Sequence, residues 1–443
     1  MKKAIVFLCL ILILTINAFA VEEPEITSDY AIVYNIETGK TLYEKGINSI
    51  IYPASLTKIM TGLLACEYYE KQGDFNVTVT ETALEAVEGS NVKLKAGETV
   101  SFYDLIVAMA VGGGNDAAYV IAEAVGGSVD TFIEMMNERA RNIGATHTSY
   151  SNPSGFHSSY MLTTLSDQAL ICTEASKNEL LLEITSLIEY DMPETNLSKK
   201  RHFTNQNLLF DPDHWLRHYT PDTKGFNAGM TPQAGWCMAT VYKNDGLTDI
   251  VIVSGGSVEN YTYHYINDVK SLIDYAKKGY AFTKVLDKGE VLHDIEVKLG
   301  DEKDRLILTS ADEITALLPV GVNVKTDITV KSEPVKNVCE APVKEGDTFG
   351  TVKVYYGEEF LGEVNLVALT GIKRSFKLLI LDRIGKAISN MYVKAILIFL
   401  SSLAFAYLVF LYIRSAIRKR RERIAHHRAR MQNMSHARKT LRN

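Results

Sequence analysis

Ser55 and Lys58 are the residues whose types and spacing most directly suggest chemistry. They lie three positions apart in the hexapeptide PASLTK, residues 53–58. A serine hydroxyl becomes an effective nucleophile when a neighbouring base removes its proton, and a lysine can be that base once its pKa is lowered. The pair alone is weak evidence, since Ser90 and Lys93 have the same spacing. Taken by itself, the hexapeptide fits more readily a helix N-cap followed by a solvated lysine.

The surrounding pattern predicts a helix that places both side chains on one face. Apolar residues recur at helical spacing at positions 56, 59, 60, 63 and 64, so a helix is expected to open at about Ser55. Residues one turn apart on a helix are neighbours. The sequence therefore predicts that the Lys58 amine can approach the Ser55 hydroxyl.

Strand and helix patterns on either side of this segment predict a mixed α/β (α+β) domain over residues 22–282. Residues 30–44 alternate apolar and polar around a Thr-Gly turn, which is typical of a β-hairpin. Helical patterns follow at 101–125 and 128–143, and residues 237–256 form two apolar runs around an Asn-Asp-Gly turn. Strands before and after a block of helices favour an antiparallel sheet flanked by helices.

The sequence pattern changes at about residue 285. Short alternating runs such as DIEVKL, RLILT, DITVKS, GTVKVYY and GEVNLVAL are separated by Gly, Asp and Pro. They predict a small all-β domain over 285–370. The following segment, 373–390, mixes basic and apolar residues, so it is expected either to lie on a membrane surface or to be a short connecting helix.

Both ends of the chain carry apolar segments with basic flanks. Residues 1–20 have two lysines, an apolar run and an Ala-Phe-Ala end, which is typical of a secretory signal peptide. Residues 395–413 are uncharged and long enough to cross a bilayer. The tail 414–443 is rich in Lys and Arg, which favours a cytoplasmic location. The sequence thus predicts a single-pass membrane protein whose main body is extracytoplasmic.

The charge distribution agrees with an exported, acidic body. The formal charge of the whole chain is −6, and the two basic ends contribute about +12, so the middle of the chain is near −18. An acidic surface argues against nucleic acid as a partner. The cysteines at 66, 172, 237 and 339 are widely spaced, so free thiols are the default expectation, although export would permit a disulfide bridge. No metal-ligand pattern or cofactor motif is visible.

Several ordered blocks carry a family resemblance. The segments around PASLTK, then VKLKAGETVSFYDLIVAMAVGGGNDAAYVIAEAVGG, YSNPSGFH, TNQNLL and FNAGMTPQAGWCMATVYKNDG follow one another at plausible spacings. Together they resemble the D-alanyl-D-alanine carboxypeptidases, the low-molecular-mass penicillin-binding proteins, over about residues 25–370. The resemblance implies that Ser55 is the nucleophile, Lys58 its proton partner and Asn115 a catalytic residue. It also implies that the backbone N–H groups of Ser55 and Met230 are the oxyanion donors.

Two of the three motifs of that family are degraded here. The second motif, S-x-N, falls on Gly113-Gly114-Asn115, where Gly113 replaces the serine. The third, K-T-G, falls on residues 227–229, where Asn227 replaces the lysine and Ala228 the hydroxyl residue, while Gly229 matches. The resemblance implies substrate binding by Asn227, Gly229, Met230 and Thr231. Lys224 is an odd number of residues before Asn227, so on a regular strand it would point to the opposite face and could not replace the lost lysine.

Three functions remain open at this point. The first is a membrane-anchored serine D-Ala-D-Ala carboxypeptidase, of weakened activity, that acts on peptidoglycan stem peptides and takes β-lactams as covalent ligands. The second is a non-catalytic cell-wall-binding or scaffold protein on the same fold, which the departures at Gly113, Asn227 and Ala228 favour. The third is a Ser/Lys hydrolase whose substrate lacks a free carboxylate. The loss of the motif lysine favours it, since the resemblance implies that this lysine supplies positive charge near the terminal carboxylate of the substrate and that the hydroxyl residue hydrogen-bonds to it.

Overall fold

The chain folds into two units. The structure is a computed structural model that describes residues 22–244 and 246–440, with side chains up to Met434. The predicted signal peptide, residues 1–20, lies outside the described residues. The first unit contains the described residues up to Lys284 together with Thr315–Asp327, and the second contains Val285–Ile314 and the residues from Ile328 onward. Residues 315–327, which fall within the predicted β domain, thus cluster with the first unit.

The helices alternate with short strands in the first unit and are concentrated at the end of the second. They are α1 Thr57–Gln72, α2 Glu81–Glu85, α3 Phe102–Ala110, α4 Asn115–Gly126, α5 Val129–Ile143, α6 Leu165–Ala175, α7 Glu179–Thr185, α8 His264–Gly279, α9 Val324–Asp327, α10 Phe376–Ser389 and α11 Met391–Thr440.

The strands are β1 Tyr30–Asn35, β2 Thr41–Lys45, β3 Asn76–Thr78, β4 Thr99–Ser101, β5 Glu189–Met192, β6 Arg201–Thr204, β7 Thr223–Lys224, β8 Ala228–Thr231, β9 Gly235–Asn244, β10 Leu247–Gly256, β11 Val258–Glu259, β12 Thr262–Tyr263, β13 Tyr280–Leu286, β14 Val291–Lys298, β15 Arg305–Ser310, β16 Ile314–Pro319, β17 Ile328–Pro334, β18 Val338–Glu340, β19 Thr348–Tyr356 and β20 Glu359–Ala368.

A six-stranded antiparallel sheet is the centre of the first unit. Its order is β2-β1-β10-β9-β7, and β8 also pairs with β9. Side chains alternate across the sheet, so Ile32 of β1 belongs to one apolar core and Ala31 and Val33 to another. The first core includes buried side chains of α1, α3, α4, α5, α6 and α7, and the second includes the buried face of α8. The predicted antiparallel sheet flanked by helices is confirmed.

Most of the sequence patterns correspond to the observed elements. The predicted hairpin at 30–44 is β1 and β2, and the two strands predicted at 237–256 are β9 and β10. The helical pattern predicted over 101–125 is divided into α3 and α4, because residues 111–114, VGGG, interrupt it. That interruption places Asn115 at the beginning of a helix.

The second unit is a β-rich domain followed by two helices. Its main sheet has six strands in the order β17-β19-β20-β15-β14-β18, and β18 runs parallel to β14. Helix α10 begins after Ser375, whose hydroxyl accepts from the Leu378 N–H at 3.5 Å. In the described part of the chain, α11 is the one helix long and apolar enough to cross a membrane. Exposed apolar side chains on α10 are consistent with the predicted surface segment 373–390.

Candidate active site

Ser55 lies in a short 3-10 turn, Ala54–Leu56, directly before α1. The N-cap residue of α1 is Leu56, and no side chain caps this helix end. The alternative in which Ser55 is an N-cap is therefore wrong. Ala54, the residue before Ser55, has a φ of 45°, a left-handed conformation that costs free energy for a residue with a Cβ atom. Strained backbone of this kind is typical of functional sites.

Lys58 is buried next to this turn and is only 6% exposed. Its amine donates a hydrogen bond of 2.7 Å to the carbonyl oxygen of Ser154 and lies 3.5 Å from the hydroxyl oxygen of Ser55. Burial lowers the pKa of Lys58 from 10.5 to about 7, and the Asp116 carboxylate opposes this shift. A lysine with this pKa is largely unprotonated just above neutral pH, so it can accept the proton of a nearby hydroxyl.

The loop that follows α5 holds the Lys58 amine in place. The Asn152 side-chain oxygen accepts from the backbone N–H of Ser154 at 3.1 Å, which shapes the loop. The Thr61 hydroxyl donates to the Pro153 carbonyl at 2.7 Å and ties the loop to α1. Sequence reasoning missed the Ser154 carbonyl as a lysine acceptor. The Asn-Pro-Ser-Gly turn signal identifies a loop there, but it does not show which element the loop touches.

Asn115 is the first residue of α4 and is 5% exposed. Its backbone N–H donates to the Ser90 carbonyl at 2.8 Å, and its side-chain NH₂ donates to the Glu88 carbonyl at 2.6 Å. The side-chain oxygen of Asn115 is buried and has no hydrogen-bond partner within the protein. Asn115 therefore fixes the segment that contains Ser90, and it keeps one acceptor unused.

Gly113 occupies the position of the family's motif serine, and another residue has taken the space of the missing side chain. Its φ is 68°, and a Cβ atom built on it would lie 3.1 Å from the Nε2 atom of Gln206. Gln206 is thus a residue of the site that sequence reasoning missed. Its position in the TNQNLL block was the only signal that could have identified it.

Strand β8 passes close to the nucleophile. A Cβ atom built on Gly229 would lie only 2.3 Å from the Ser55 hydroxyl oxygen, so this approach requires glycine. The next residue, Met230, is 49% exposed, while Thr231 is buried and accepts from the Ala234 N–H at 3.2 Å. The strand therefore brings its backbone, rather than a side chain, against Ser55.

Asn227 precedes β8 and is tied directly to the nucleophile's backbone. Its NH₂ group donates a hydrogen bond of 2.7 Å to the carbonyl oxygen of Ser55. The side-chain oxygen of Asn227 is buried without a partner in the protein. The neighbouring Ala228 is also buried and offers no hydroxyl group. At these two positions the protein presents neither of the groups with which the family binds a carboxylate.

Lys224 does not line the cavity at Ser55, although strand alternation is not the reason. Lys224 is opposite Val241 and Ala228 is opposite Met238, so this edge has one residue more than β9 between the same two pairs. That extra residue is a β-bulge, across which simple alternation fails. Lys224 nevertheless lines a separate cavity beside α7 and does not line the cavity at Ser55.

One cavity of about 590 Å³ brings the predicted site residues together. All of them line it: Ser55, Lys58, Gly113, Asn115, Asn227, Ala228, Gly229, Met230 and Thr231. His157 also lines the cavity and packs edge-on against Tyr52 with ring centroids 4.7 Å apart. A serine hydroxyl beside a buried amine of lowered pKa, in a cleft of this size, is the arrangement of a Ser/Lys serine hydrolase.

Comparisons with known proteins identify the family. A family model described as D-alanyl-D-alanine carboxypeptidase matches residues 17–257, and one described as penicillin-binding protein 5, C-terminal domain, matches residues 280–374. The chain therefore belongs to the D-alanyl-D-alanine carboxypeptidase family of serine peptidases, the low-molecular-mass penicillin-binding proteins.

Individual relatives agree with this assignment. The chain is 28% identical over 369 residues to D-alanyl-D-alanine carboxypeptidase DacF of Bacillus subtilis, covering 81% of this chain and 91% of the relative. It is 26% identical over 372 residues to DacC of Escherichia coli, covering 80% and 86%.

Solved structures show the same fold. DacD from Francisella tularensis superposes with a TM-score of 0.61 at 22% identity, covering 80% of this chain and 96% of that one. Penicillin-binding protein 5 from Haemophilus influenzae superposes with a TM-score of 0.59 at 22% identity, covering 80% and 100%. At these identities the likeness describes the fold alone.

Proposed function

We propose that this protein forms an acyl-enzyme on Ser55, with Lys58 as the proton acceptor, and that its substrates are peptidoglycan stem peptides. The observation that carries the proposal is the Lys58 amine, which is buried, held by the Ser154 carbonyl and 3.5 Å from the Ser55 hydroxyl oxygen. A buried amine with a pKa of about 7 is suited to act as a base near neutral pH.

The reaction follows from these positions. Ser55 attacks the peptide carbonyl, and its proton passes to the Lys58 amine. The C–N bond breaks, the leaving amine takes the proton, and an ester to Ser55 remains. Water then hydrolyses the ester and regenerates the hydroxyl. We propose the backbone N–H groups of Ser55 and Met230 as the donors to the oxyanion, since both residues line the cavity.

We expect a slow enzyme toward peptides that end in a carboxylate. Asn227 and Ala228 supply neither the charge nor the hydroxyl that the family uses for that group, and Gly113 supplies no hydroxyl for proton transfer. Loss of a buried charged partner costs about 2–5 kcal/mol. Each 1.4 kcal/mol is about a tenfold change in rate, so a loss of about thirtyfold or more is expected.

The proposal is tested by labelling the full-length protein in detergent with a fluorescent β-lactam. Labelling is expected in the wild type and absent in Ser55→Ala. The control is Ser90→Ala, which should still be labelled. Ser90 belongs to the second Ser-x-x-Lys pair, so this variant tests whether the label is specific to Ser55. If no label enters the wild type after long incubation with this probe or with an uncharged β-lactam, the catalytic proposal is rejected and a non-catalytic wall-binding protein is favoured.

We also propose the predicted domain boundaries, 22–282 and 285–370, and a topology with α11 crossing the membrane once. The basic tail 414–443 would then be cytoplasmic and the cavity outside. In a Cys339→Ser background, an impermeant thiol reagent added to intact cells should label Thr82→Cys but not Ser415→Cys. The opposite labelling pattern would show that the tail is outside and the cavity is cytoplasmic.

A further inference from the structure

The charge of the cavity differs from what a carboxylate ligand requires. Among the described residues that line it, Lys58 provides the only Lys or Arg side chain, and no Asp or Glu is present. The Lys58 amine is already bonded to the Ser154 carbonyl at 2.7 Å. A carboxylate that entered this cavity would lose its hydration without gaining a free lysine or arginine partner, which is costly.

Asn227 places an amide where the family has a lysine, and its hydrogen bond to Ser55 fixes the orientation of that amide. Its NH₂ group is used by the Ser55 carbonyl, so its oxygen is the atom left over. That oxygen is buried in a side chain that is 7% exposed and has no hydrogen-bond partner in the protein. An unpaired buried acceptor favours a ligand that brings an N–H group and disfavours one that brings negative charge.

Asn115, which also lines the cavity, repeats this arrangement. Its NH₂ group is used by the Glu88 carbonyl, and its buried oxygen is unpaired. The Gln206 amide, which fills the space next to Gly113, adds a further neutral polar group. Two unpaired amide oxygens, and no lysine or arginine other than Lys58 among the described lining residues, make the cavity better suited to an uncharged, N–H-bearing ligand than to a carboxylate.

We propose that the cavity accepts peptides in which an amide replaces the free carboxylate after the cleaved bond. This inference rests on the proposed acyl-enzyme function and names its substrate class. Two sources share this chemistry: a peptide that ends in a carboxamide, and a longer peptide that continues through another peptide bond. In both, the peptide C–N bond breaks, the acyl group moves to Ser55, and the leaving amine takes the serine proton through Lys58. Water then completes hydrolysis.

The first experiment compares three peptides on the full-length protein in detergent. They have the same D-Ala-D-Ala core and end in a carboxylate, in a carboxamide, or in an additional glycinamide. Each competes with labelling by the methyl ester of a fluorescent β-lactam, and released products are measured by mass spectrometry. We expect half-maximal competition by at least one amide peptide at a concentration about tenfold or more below that of the carboxylate peptide. The amide peptide that competes at the lower concentration shows whether the preferred ligand ends in a carboxamide or continues through another peptide bond.

The second experiment changes the proposed recognition residue. Asn227→Lys should shift the preference toward the carboxylate peptide by about tenfold or more. Thr82→Lys adds the same charge at an exposed position on α2 and should leave the preference unchanged. Asn227→Ala removes the acceptor without adding charge and should reduce the preference for amides. Labelling by the ester in each variant shows that its fold and nucleophile are intact.

The outcomes separate this inference from the function on which it rests. If Ser55 is labelled by the acid form of the β-lactam but the ester and the amide peptides are rejected, the inference is wrong and the acyl-enzyme proposal stands. If Asn227→Lys leaves the preference between amide and carboxylate peptides unchanged, Asn227 does not determine which ligand binds, and the inference is also rejected. If neither the acid nor the ester labels the wild type, both proposals fail.

Discussion

The two sides of the cavity differ in how many of the family's motif residues they retain. The helix side, with Ser55, Lys58 and the Ser154 loop, has the arrangement needed for nucleophilic attack. The strand side keeps its close backbone approach at Gly229 but has an amide and a methyl group where the family has a lysine and a hydroxyl. Acylation depends mainly on the position of a buried amine and of backbone N–H groups, whereas recognition depends on side chains. Recognition can therefore change while the reaction geometry is preserved.

The largest expected effect comes from removing the base on the helix side. Lys58→Met should lower the rate of acylation about 10²–10⁴-fold, because the serine proton then has no acceptor. Stopped-flow or long-time-course labelling with the β-lactam ester measures this. In the wild type, the rate should rise with pH up to about 7 and level off above it, since Lys58 loses its proton there. A rate independent of pH between 5 and 9 would contradict a role for this amine.

A smaller effect is expected from the strand side. Gly229→Ala places a methyl group 2.3 Å from the Ser55 hydroxyl oxygen, so either the strand or the serine must move. Displacement of a reacting group by about 1 Å costs about 10²-fold in rate. Gly385→Ala is the matched control, because nothing lies within 4 Å of its new methyl group. Labelling rates of the two variants that agree within a factor of two would show that the approach of β8 is not critical.

The lowered pKa of Lys58 also predicts how stability depends on pH. The unfolded chain binds a proton at this lysine up to about pH 10.5, whereas the folded chain releases it at about pH 7. Between these values the folded state is favoured as the pH rises, by about 1.4 kcal/mol per unit from this group alone. Below pH 7 this contribution stays constant at its most unfavourable value.

Urea unfolding of the wild type and of Lys58→Met at pH 7, 8 and 9 measures the effect. The stability advantage of the Met variant should shrink as the pH rises. An advantage that is equal at all three pH values would mean that Lys58 keeps its ordinary pKa.

The smallest effect concerns the missing serine of the second motif. Gly113→Ser should reduce the free energy of unfolding by about 1–3 kcal/mol, because a residue with a Cβ atom is strained at a φ of 68°. It should also fail to speed acylation, because the new Cβ lies 3.1 Å from the Gln206 amide.

A control variant separates backbone strain at a positive φ from the contact with the Gln206 amide. Gly127→Ser has a similar φ of 75°, with nothing within 4 Å of the new Cβ atom. Urea unfolding should show a larger loss for Gly113→Ser than for Gly127→Ser. Gly113→Ser in combination with Gln206→Ala should recover the difference. A gain in acylation rate by Gly113→Ser alone would show that Gln206 does not block the site.

Local patterns predicted the central hairpins and several helices of the first unit and five of the six strands of the main sheet in the second unit. The alternation of residues 30–44 and 237–256 and the helical spacing after Ser55 correspond to observed strands and a helix, because each pattern matches the period of one element. The same holds for the five apolar runs predicted in the β domain, which correspond to β14, β15, β17, β19 and β20. The family blocks also led to Ser55, Lys58 and Asn115, which line one cavity.

By itself, the amino-acid sequence determined the central elements, the order of the motifs and which motif residues are missing. Only the tertiary structure decided what replaced them. The bulge after Lys224, the Ser154 carbonyl on the Lys58 amine and the Gln206 amide beside Gly113 all depend on chain segments that are far apart in sequence. Such contacts follow from how sheets and helices pack together, and the periodicity of a single segment carries no information about its partner across the cavity.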